Sequence, residues 1–220
     1  MKILTEAWKF SLPLFIIAVF LYILNWWIAG SFFLLWGFFC LFFFRDPLRA
    51  LPDNPNEICS PADGKVDTIE ILEHPSFTGG KAYKIGIFLS IFDVHLNRVP
   101  LPGRVVDRIY TPGRFLSAMN KESSEKNESN LISLDTNAGT IFVKQIAGVI
   151  ARRIICYVRK GDEVRHGQKI GLICFGSRTE LYIPASANLI VKKGDRVNAG
   201  SSIIGILPDA LSGVIKDEES

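Results

Sequence analysis

The longest apolar stretch of the chain covers residues 10–44 and contains no charged side chain. A membrane-spanning helix needs roughly 20 apolar residues, so this stretch is too long for one helix and barely long enough for two. It is interrupted near its middle at Asn25 and Gly30, and two tryptophans between them favour a membrane interface. The pattern predicts two short helices, near 11–24 and 30–44, joined by a turn into a hairpin. A buried hairpin in a soluble core is the alternative, although soluble domains rarely contain so long an uncharged run.

Basic residues flank the apolar stretch and predict its orientation. Lys9, Arg45 and Arg49 lie beside its two ends, and basic residues accumulate on the cytoplasmic side of membrane helices. We therefore expect residues 1–45 to anchor the chain in the cell membrane with both ends in the cytoplasm. The run is too long and too aromatic for a signal peptide. Whether the hairpin crosses the bilayer or enters one leaflet stays open.

The pattern changes sharply after Arg45. Residues 46–57 contain three prolines and predict a linker. Residues 58–220 predict one further domain, in which turn residues separate short strand-like runs. The predicted strands are 65–72, 84–91, 104–111, 139–146, 152–159 and 170–175. We expect a mostly β barrel or sandwich with little helix after residue 50.

One sequence pattern occurs twice in this domain. VRKGDEVRHGQKI at 158–170 matches VKKGDRVNAGSSI at 191–203 at a constant offset. Each copy predicts a strand, a Gly-Asp turn, a second strand, then a glycine and another strand. Two such hairpin units can pair into a flattened barrel, as in lipoyl and biotinyl carriers and in membrane adaptor proteins. A carrier needs a modifiable lysine at an exposed hairpin tip, and no MKM or DKA sequence of that kind is present.

Composition excludes several classes of function. The four cysteines form no CxxC pair, which fits a reducing compartment. The three histidines are not at ligand spacing from one another or from a cysteine, so we expect no metal. The net charge of +3 is modest, and no aromatic-basic pattern typical of nucleic-acid modules is present. We therefore expect no nucleic-acid partner.

A polar segment at 119–130 lacks an apolar face and predicts a loop. Arg114 lies shortly before it. Long loops in compact domains often cover a binding site, so a substrate-contacting loop is one interpretation. A surface excursion without a role is the other.

Three stretches of the domain place reactive polar residues at strand ends. They are SPADGKV (60–66), FLSIFDVHLNRVP (88–100) and CFGSRTELYIP (174–184). Their candidate residues are Asp63, His95 and Ser177, the last preceded by Gly176. Each stretch also has a structural interpretation: an Asp-Gly turn, a hydrogen-bonded histidine at a strand end, and a Gly-Ser turn.

Serine, histidine and aspartate together suggest an activated hydroxyl, so a hydrolase is the first interpretation. The hydrolase elbow, however, is G-x-S-x-G between a strand and a helix, and Ser177 has no second glycine. The Gly176–Ser177 bond permits another reaction, in which the hydroxyl attacks the preceding carbonyl and turns the peptide into an ester. Base-driven elimination then cuts the chain, and loss of ammonia leaves a pyruvoyl group. Glycine assists because no side chain crowds the attack.

These three stretches, in this order, resemble the phosphatidylserine decarboxylase family, most closely its short, single-domain form. The resemblance covers most of residues 46–208, and the apolar N-terminal segment also fits. It implies that the chain cuts itself between Gly176 and Ser177. The resulting β chain, 1–176, and α chain, 177–220, would form a heterodimer. The α chain would begin with a pyruvoyl group made from Ser177, as the covalent cofactor, with no metal.

The resemblance also implies roles for individual residues. Asp63 matches the aspartate of the family's PADG sequence, and His95 matches the first histidine of its D-x-H-x-x-H-x-P motif. His95 would act as base in self-cleavage, as acid-base in decarboxylation, or as both, and Asp63 would orient a histidine or position the serine. Arg98 replaces the second histidine and cannot be a base, because arginine stays protonated. Arg98 and Arg114 could instead bind a carboxylate or phosphate of the substrate.

The implied reaction converts phosphatidylserine to phosphatidylethanolamine and CO₂. A Schiff base would join the substrate amine to the pyruvoyl ketone, which accepts electrons much as pyridoxal phosphate does. Each acyl CH₂ removed from the bilayer costs about 0.8 kcal/mol, so the site must come to the membrane phospholipid. An anchor with the catalytic domain on the cytoplasmic side fits that need.

Two alternatives come from other classes. A non-catalytic membrane adaptor with lipoyl-like hairpins explains the repeat and the anchor but not the three ordered stretches. A serine lipid hydrolase predicts an intact chain whose Ser177 reacts with a fluorophosphonate. The sequence leaves open the oligomeric state, the acyl-chain preference and whether the headgroup is unmodified serine.

Overall fold

The computed structural model of the chain describes residues 2–73, 77, 80–114, 123–148, 153–174 and 177–208. Contacts between residues divide the chain into two compact units, Met1–Leu48 and Arg49–Ser220.

The first unit is a helical hairpin, which confirms that prediction. Helix α1 is Glu6–Ile23 and helix α2 is Trp27–Phe43, so both begin earlier than expected. Asn25 in the turn has φ 61°, a left-handed conformation that asparagine tolerates better than most residues. Short strands β1 (Lys2–Ile3) and β2 (Arg45–Asp46) pair antiparallel where the hairpin begins and ends.

The two helices pack closely where small residues face large ones. A Cβ atom at Gly37 would lie 2.4 Å from the ring of Phe15, so only glycine allows this approach. Tyr22 and Ser31 share a hydrogen bond of 2.7 Å between their hydroxyls near the turn. Many large apolar side chains of both helices remain exposed. By length and composition α1 could cross a membrane, whereas α2 is apolar but shorter.

The second unit is built on a curled eight-stranded antiparallel sheet, which confirms the mostly β fold. Its strands are β4 (Gly64–Glu73), β5 (Lys81–Leu89), β7 (Gly103–Thr111), β8 (Ser129–Thr136), β9 (Gly139–Ala147), β11 (Glu163–Val164), β13 (Ser177–Pro184) and β15 (Arg196–Val197). Their order across the sheet is β11-β7-β8-β9-β13-β5-β4-β15. Strand β13, which follows the predicted cleavage bond, is therefore central and paired on both sides.

Two smaller sheets complete the unit. One has the order β10-β12-β6 and the other β14-β16-β3. These strands are β3 (Glu57–Cys59), β6 (Leu96–Arg98), β10 (Ile154–Cys156), β12 (Lys169–Ile173), β14 (Asn188–Leu189) and β16 (Ile203–Ile206). One continuous apolar core includes Ile58, Ile87 and Ile132, together with Val164 and Val197 of the two repeat copies. Burial of this core supplies the main stabilisation of the unit.

The expected pairing of the two repeat copies with each other is wrong. Strands β11 and β12 of the first copy pair with β7 and β6, whereas β15 and β16 of the second pair with β4 and β3. The partners are themselves related, since SPADGKV at 60–66 aligns with VPLPGRV at 99–105. The amides of Val66 and Val105 bond equivalent carbonyls of the second and first repeat copies, Asp195 and Asp162. The unit therefore contains two interlocked half-structures of the same kind.

The predicted loop at 119–130 is wrong at two places. Residues Ser123–Lys126 form a short helix, α3, and the last two residues of the segment begin strand β8. Asn127 forms a bridge with Arg114, which ties the segment to the end of β7. Residues 119–122 lie outside the described residues.

Candidate active site

Ser177 is the first residue of β13 and is completely buried. It pairs with Leu89 at the end of β5 and with Ala147 at the end of β9. No described residue hydrogen-bonds to its buried hydroxyl. Buried hydroxyls normally have a partner, and one without a partner marks a candidate for chemistry. Gly176, the other half of the predicted cleavage bond, lies outside the described residues.

Asp63 lies immediately before β4 and is buried. One carboxylate oxygen accepts the backbone amide of Ala199 at 2.8 Å, and the other accepts Nη2 of Arg49 at 2.5 Å. Burial raises the pKa of Asp63, which the Ala199 amide and Arg49 only partly oppose. Asp63 therefore holds a proton more readily than an ordinary aspartate and still has a cationic partner.

Gly64, the residue after Asp63, allows the start of β4 to lie close to β5. Its φ is 151°, and a Cβ atom there would lie 2.2 Å from the carbonyl oxygen of Phe88. Lys65 pairs with Phe88, and the next residue of β5, Leu89, pairs with Ser177. With strands about 4.8 Å apart, the start of β4 and Ser177 are separated by about 10 Å across β5.

His95 is also completely buried and directly precedes β6. Its Nδ1 lies 3.0 Å from the carbonyl oxygen of Asp93. A carbonyl can only accept a hydrogen bond, so this contact assigns the proton to Nδ1. In the neutral ring Nε2 then has the lone pair, and His95 can accept a proton there.

Asn97 joins the three sequence stretches into one region. Its Nδ2 donates to the carbonyl of Pro61 at 3.2 Å and to Oγ1 of Thr179 at 3.0 Å. Its Oδ1 accepts Nε2 of Gln145 at 2.8 Å. Pro61 belongs to the SPADGKV stretch, and Thr179 follows Ser177 by two residues, so its side chain is on the same face of β13. A single buried amide therefore connects all three.

A second contact places His95 in the same region. Its carbonyl accepts the amide of Ile173 at 3.2 Å, and Ile173 ends the strand that leads toward Ser177. His95 directly precedes β6, two residues before Asn97. The three stretches that contain Asp63, His95 and Ser177 thus meet in one buried part of the second unit.

The two predicted substrate-binding arginines have different surroundings. Nη1 of Arg98 donates to the carbonyl of Gly167 at 2.8 Å. Cδ of Arg98 lies close to Gly200, where an added Cβ atom would be only 2.9 Å from it. Arg98 thus connects the two repeat copies. The side chain of Arg114 is exposed, while its backbone bridges to Asn127. Nδ2 of Asn127 donates to the carbonyl of Ala147, the pairing partner of Ser177, so Arg114 lies near the same end of the sheet.

Sequence reasoning missed two groups of buried polar residues. Gln145 also accepts Nδ2 of Asn130 at 2.8 Å, which extends the amide network to β8. Arg178 and Glu180 of β13 form buried ion pairs on the opposite face from Ser177. The only sequence signal for either group was a polar residue at a strand position that neighbouring parts of the fold would bury. Among the described residues, no cluster of His, Cys, Asp and Glu could hold a metal ion.

Comparison with known proteins identifies a family. The sequence profile of the family described as "Phosphatidylserine decarboxylase" matches residues 36–205. A protein of Desulfotalea psychrophila named phosphatidylserine decarboxylase proenzyme is 48% identical over 79% of this chain and 81% of its own length. Proteins of the same name from Geotalea uraniireducens and Symbiobacterium thermophilum are 44% and 42% identical. Those matches cover 94% and 92% of this chain, and 97% and 94% of the relatives.

Proposed function

The chain belongs to the phosphatidylserine decarboxylase family and is a carboxy-lyase, and from this premise we propose a self-processing enzyme. It is made as a proenzyme and cuts itself between Gly176 and Ser177. Ser177 becomes a pyruvoyl group, and the mature enzyme converts phosphatidylserine to phosphatidylethanolamine and CO₂. The word proenzyme in the names of the relatives supports a processing step.

The observation that carries this proposal is the buried hydroxyl of Ser177, to which no described residue hydrogen-bonds. Leaving a hydroxyl buried and unpaired costs about 1–3 kcal/mol, so the position favours a function for that atom. The residues around Ser177 therefore fit a group made in place from the serine.

The cleavage reaction uses only atoms of the chain and one water molecule. Oγ of Ser177 adds to the carbonyl carbon of Gly176, and the peptide C–N bond breaks to leave an ester. A base then removes the α-proton of Ser177, and the Cβ–Oγ bond breaks, which releases Gly176 with a free carboxylate. Water replaces the nitrogen at the new terminus, and ammonia leaves. The balance is proenzyme plus water giving two chains and ammonia.

We assign the base in this sequence to Nε2 of His95. The hydrogen bond between its Nδ1 and the carbonyl of Asp93 orients the ring and leaves Nε2 as the acceptor. Asp63 acts from the start of β4, where Arg49 and the amide of Ala199 fix its carboxylate. Its raised pKa suits a group that exchanges a proton during processing or turnover.

The pyruvoyl group supplies an electrophilic carbonyl for the primary amine of the substrate. It also accepts the electron pair that the departing CO₂ leaves on the substrate. The residues of this chain then orient the lipid headgroup and return a proton. His95 is the candidate proton donor. Arg114, exposed near the same end of the sheet, is the candidate contact for the phosphate or carboxylate. Arg98, which contacts Gly167, would need to exchange that contact to reach the substrate.

We propose that the β chain, 1–176, and the α chain, 177–220, remain associated as a heterodimer. The α chain supplies β13, which lies between β5 and β9 of the β chain. It also supplies β15 and β16, which pair with β4 and β3. The two chains of the catalytic domain, 58–220, thus share a sheet and a core.

We also propose that the helical hairpin holds the enzyme at the cytoplasmic face of the cell membrane. Its exposed large side chains, such as Phe20 and Ile28, need an apolar surrounding. Lys9, Arg45 and Arg49 favour the cytoplasm for both ends. The anchor would keep the site beside its phospholipid substrate.

Intact mass spectrometry of the full-length protein in detergent tests the proposal. We expect two chains divided after Gly176, the smaller one lighter by one ammonia than a peptide that begins with serine. The variant Ser177→Ala should remain a single chain, and His95→Gln should be cut much more slowly. A wild-type chain that stays uncut even with phosphatidylserine vesicles would refute the proposal. Labelling of Ser177 by a fluorophosphonate in that uncut chain would favour a hydrolase.

A further inference from the structure

Arg178 directly follows Ser177 and is the second residue of the proposed α chain. Its side chain is only 7% exposed and lies on the face of β13 opposite to that of Ser177. Nη1 forms an ion pair with Asp67, Nη2 donates to Oγ1 of Thr68 at 2.9 Å, and Nε donates to Glu180 at 3.1 Å. All three nitrogens of the guanidinium thus have a partner.

Two of these partners are on a strand that does not pair with β13. Asp67 and Thr68 belong to β4, and β5 lies between β4 and β13. The guanidinium crosses β5 at Gly86, where a Cβ atom would lie 2.0 Å from Nη2 and 2.8 Å from Cζ. Gly86 pairs with Glu180 on one side and with Thr68 on the other. The absence of a side chain at Gly86 is therefore what allows the contact.

Glu180 connects this crossing to the rest of the sheet. It is completely buried and accepts hydrogen bonds from Ser124 at 2.9 Å and Tyr182 at 2.8 Å, with Lys84 at 3.3 Å. Burial alone would raise the pKa of Glu180, but Lys84, Tyr182, Ser124 and Arg178 together hold it below its usual value. Glu180 thus remains ionised beside Arg178, whereas Oδ1 of Asp67, at the other end of the network, has no hydrogen-bond partner among the described residues.

The network around Arg178 lies beside the proposed cut, which would remove the covalent restraint that the preceding residue places on Ser177. Before cleavage, Ser177 is held by the chain on both sides, and afterwards it is a chain end, where backbone pairing frays most easily. The side chain of Arg178 ties the adjacent residue to β4, a strand of the other chain. Asp63 directly precedes that strand. One side chain therefore fixes the new terminus relative to the aspartate.

We propose that Arg178 is a positioning residue that keeps the α-chain terminus in register across Gly86 after cleavage. This inference rests on the proposed cut before Ser177. The side chain of Arg178 does not touch the reacting atoms, since it is on the opposite face of the strand from the side chain of Ser177. Its contribution is small in the uncut chain and large in the cut enzyme.

The test compares Arg178→Gln and Arg178→Lys in two backgrounds, wild-type and the uncuttable Ser177→Ala. The matched control is Arg104→Gln, which removes an exposed arginine paired with Glu163 at 3.9 Å. Intact mass gives the extent of cleavage, and hydrogen exchange gives the protection of the amides of Thr179 and Glu180. Steady-state kinetics on phosphatidylserine vesicles give kcat and KM.

In the cut enzyme, we expect Arg178→Gln to speed exchange of these two amides by about tenfold. We expect kcat to fall by about ten- to a hundredfold with KM changed by less than about threefold, because the reactive terminus is displaced while headgroup contacts persist. In the Ser177→Ala background, exchange should change by less than about threefold. Lysine keeps the charge but loses the planar fork, so Arg178→Lys should recover part of kcat.

Different outcomes overturn different statements. Equal loss of protection in both backgrounds, or a cut enzyme indistinguishable from the Arg104→Gln control, refutes the positioning role and leaves the proposed function intact. An uncut wild-type chain refutes the proposed function and this inference together. If Arg178→Gln does not fold, Asp67→Asn provides the same test. It keeps the side-chain shape, removes the charge opposite Arg178 and replaces one acceptor oxygen by an NH₂ donor, with the same expected dependence on cleavage.

Discussion

The variant Asn97→Ala tests whether one buried amide holds the three parts of the site together. The substitution removes contacts to Pro61, Thr179 and Gln145, which come from three separate parts of the chain. The carbonyl of Pro61 keeps a second donor, the amide of Arg98 at 2.9 Å. Oγ1 of Thr179 and Nε2 of Gln145 each lose a buried partner.

The structure gives the size of the effect. A buried polar group left without its partner costs about 1–3 kcal/mol, so two such groups give about 2–6 kcal/mol. Water can enter part of the space vacated by the amide, so we expect about 3 kcal/mol of lost stability. At a urea dependence of about 2 kcal/mol per molar, the unfolding midpoint falls by about 1.5 M.

The assay must report on the second unit alone. All four tryptophans lie between Trp8 and Trp36, so their fluorescence reports on the helical hairpin. Pulse proteolysis in urea measures the folded fraction directly. It is best done in the Ser177→Ala background, where unfolding involves one chain. The control Asn137→Ala removes one part-buried bond of 3.1 Å to Asn56 and should cost about 0.5–1 kcal/mol.

A loss in Asn97→Ala no greater than in this control would refute the reasoning, because the network would then not bind the three stretches together. In the protein that retains Ser177, the substitution Asn97→Ala should also slow self-cleavage. If Asn97→Ala loses the full expected stability but cuts itself at the normal rate, then Asn97 stabilises the fold without orienting Ser177 for cleavage.

Three further predictions concern single residues near the site. Gly64→Ala should cost about 2–6 kcal/mol of stability, because it combines a strained φ with a Cβ atom 2.2 Å from the carbonyl oxygen of Phe88. A urea midpoint like that of wild type would contradict this prediction. Arg49→Ala removes a group that opposes the burial-raised pKa of Asp63, so the carboxyl protonates at higher pH and the acid limb of the self-cleavage profile moves up. Because a raised carboxyl pKa makes ionisation unfavourable to folding, this variant should also lose more stability than wild type as pH rises; an unmoved limb would exclude Asp63 as the titrating group. Burial raises the pKa of Cys59 to about 12, so iodoacetamide at pH 8 should not label it until the protein unfolds, and labelling of the native protein at the rate of a free thiol would contradict this.

The sequence predicted the helical hairpin and most long strands because their apolar periodicity is local. Helix α1 begins earlier than expected because absence of charge was used as its limit, whereas it includes Glu6 and Lys9. Helix α2 begins at Trp27, before Gly30, which was taken as part of the interruption. Strand β8 was missed because its first residues continue a polar segment. The pairing of the repeat copies was wrong because their true partners form a second repeat that shares few residues, chiefly prolines, glycines and valines.

The candidate residues of the site were found through motifs, but their supports were not. Asn97 and Gln145 are polar residues on strands, and only the register of β6, β9 and β13 makes them partners. The role of Gly86 is equally invisible in sequence, because it depends on which side chain crosses β5. Contacts of this kind join residues far apart in the chain, and no local pattern encodes them.

The central position of β13 has a consequence for how the enzyme can be made. The proposed cut before Ser177 would leave two pieces, of which the short one contributes a central strand to the sheet of the larger one. Folding of the single chain is unimolecular, whereas reassembly of the two pieces depends on their concentration. If the chain is cut as proposed, folding has to precede cutting, and the two pieces, once unfolded at cellular dilution, would reassemble slowly. The working lifetime of the cut enzyme would then be set by its unfolding rate.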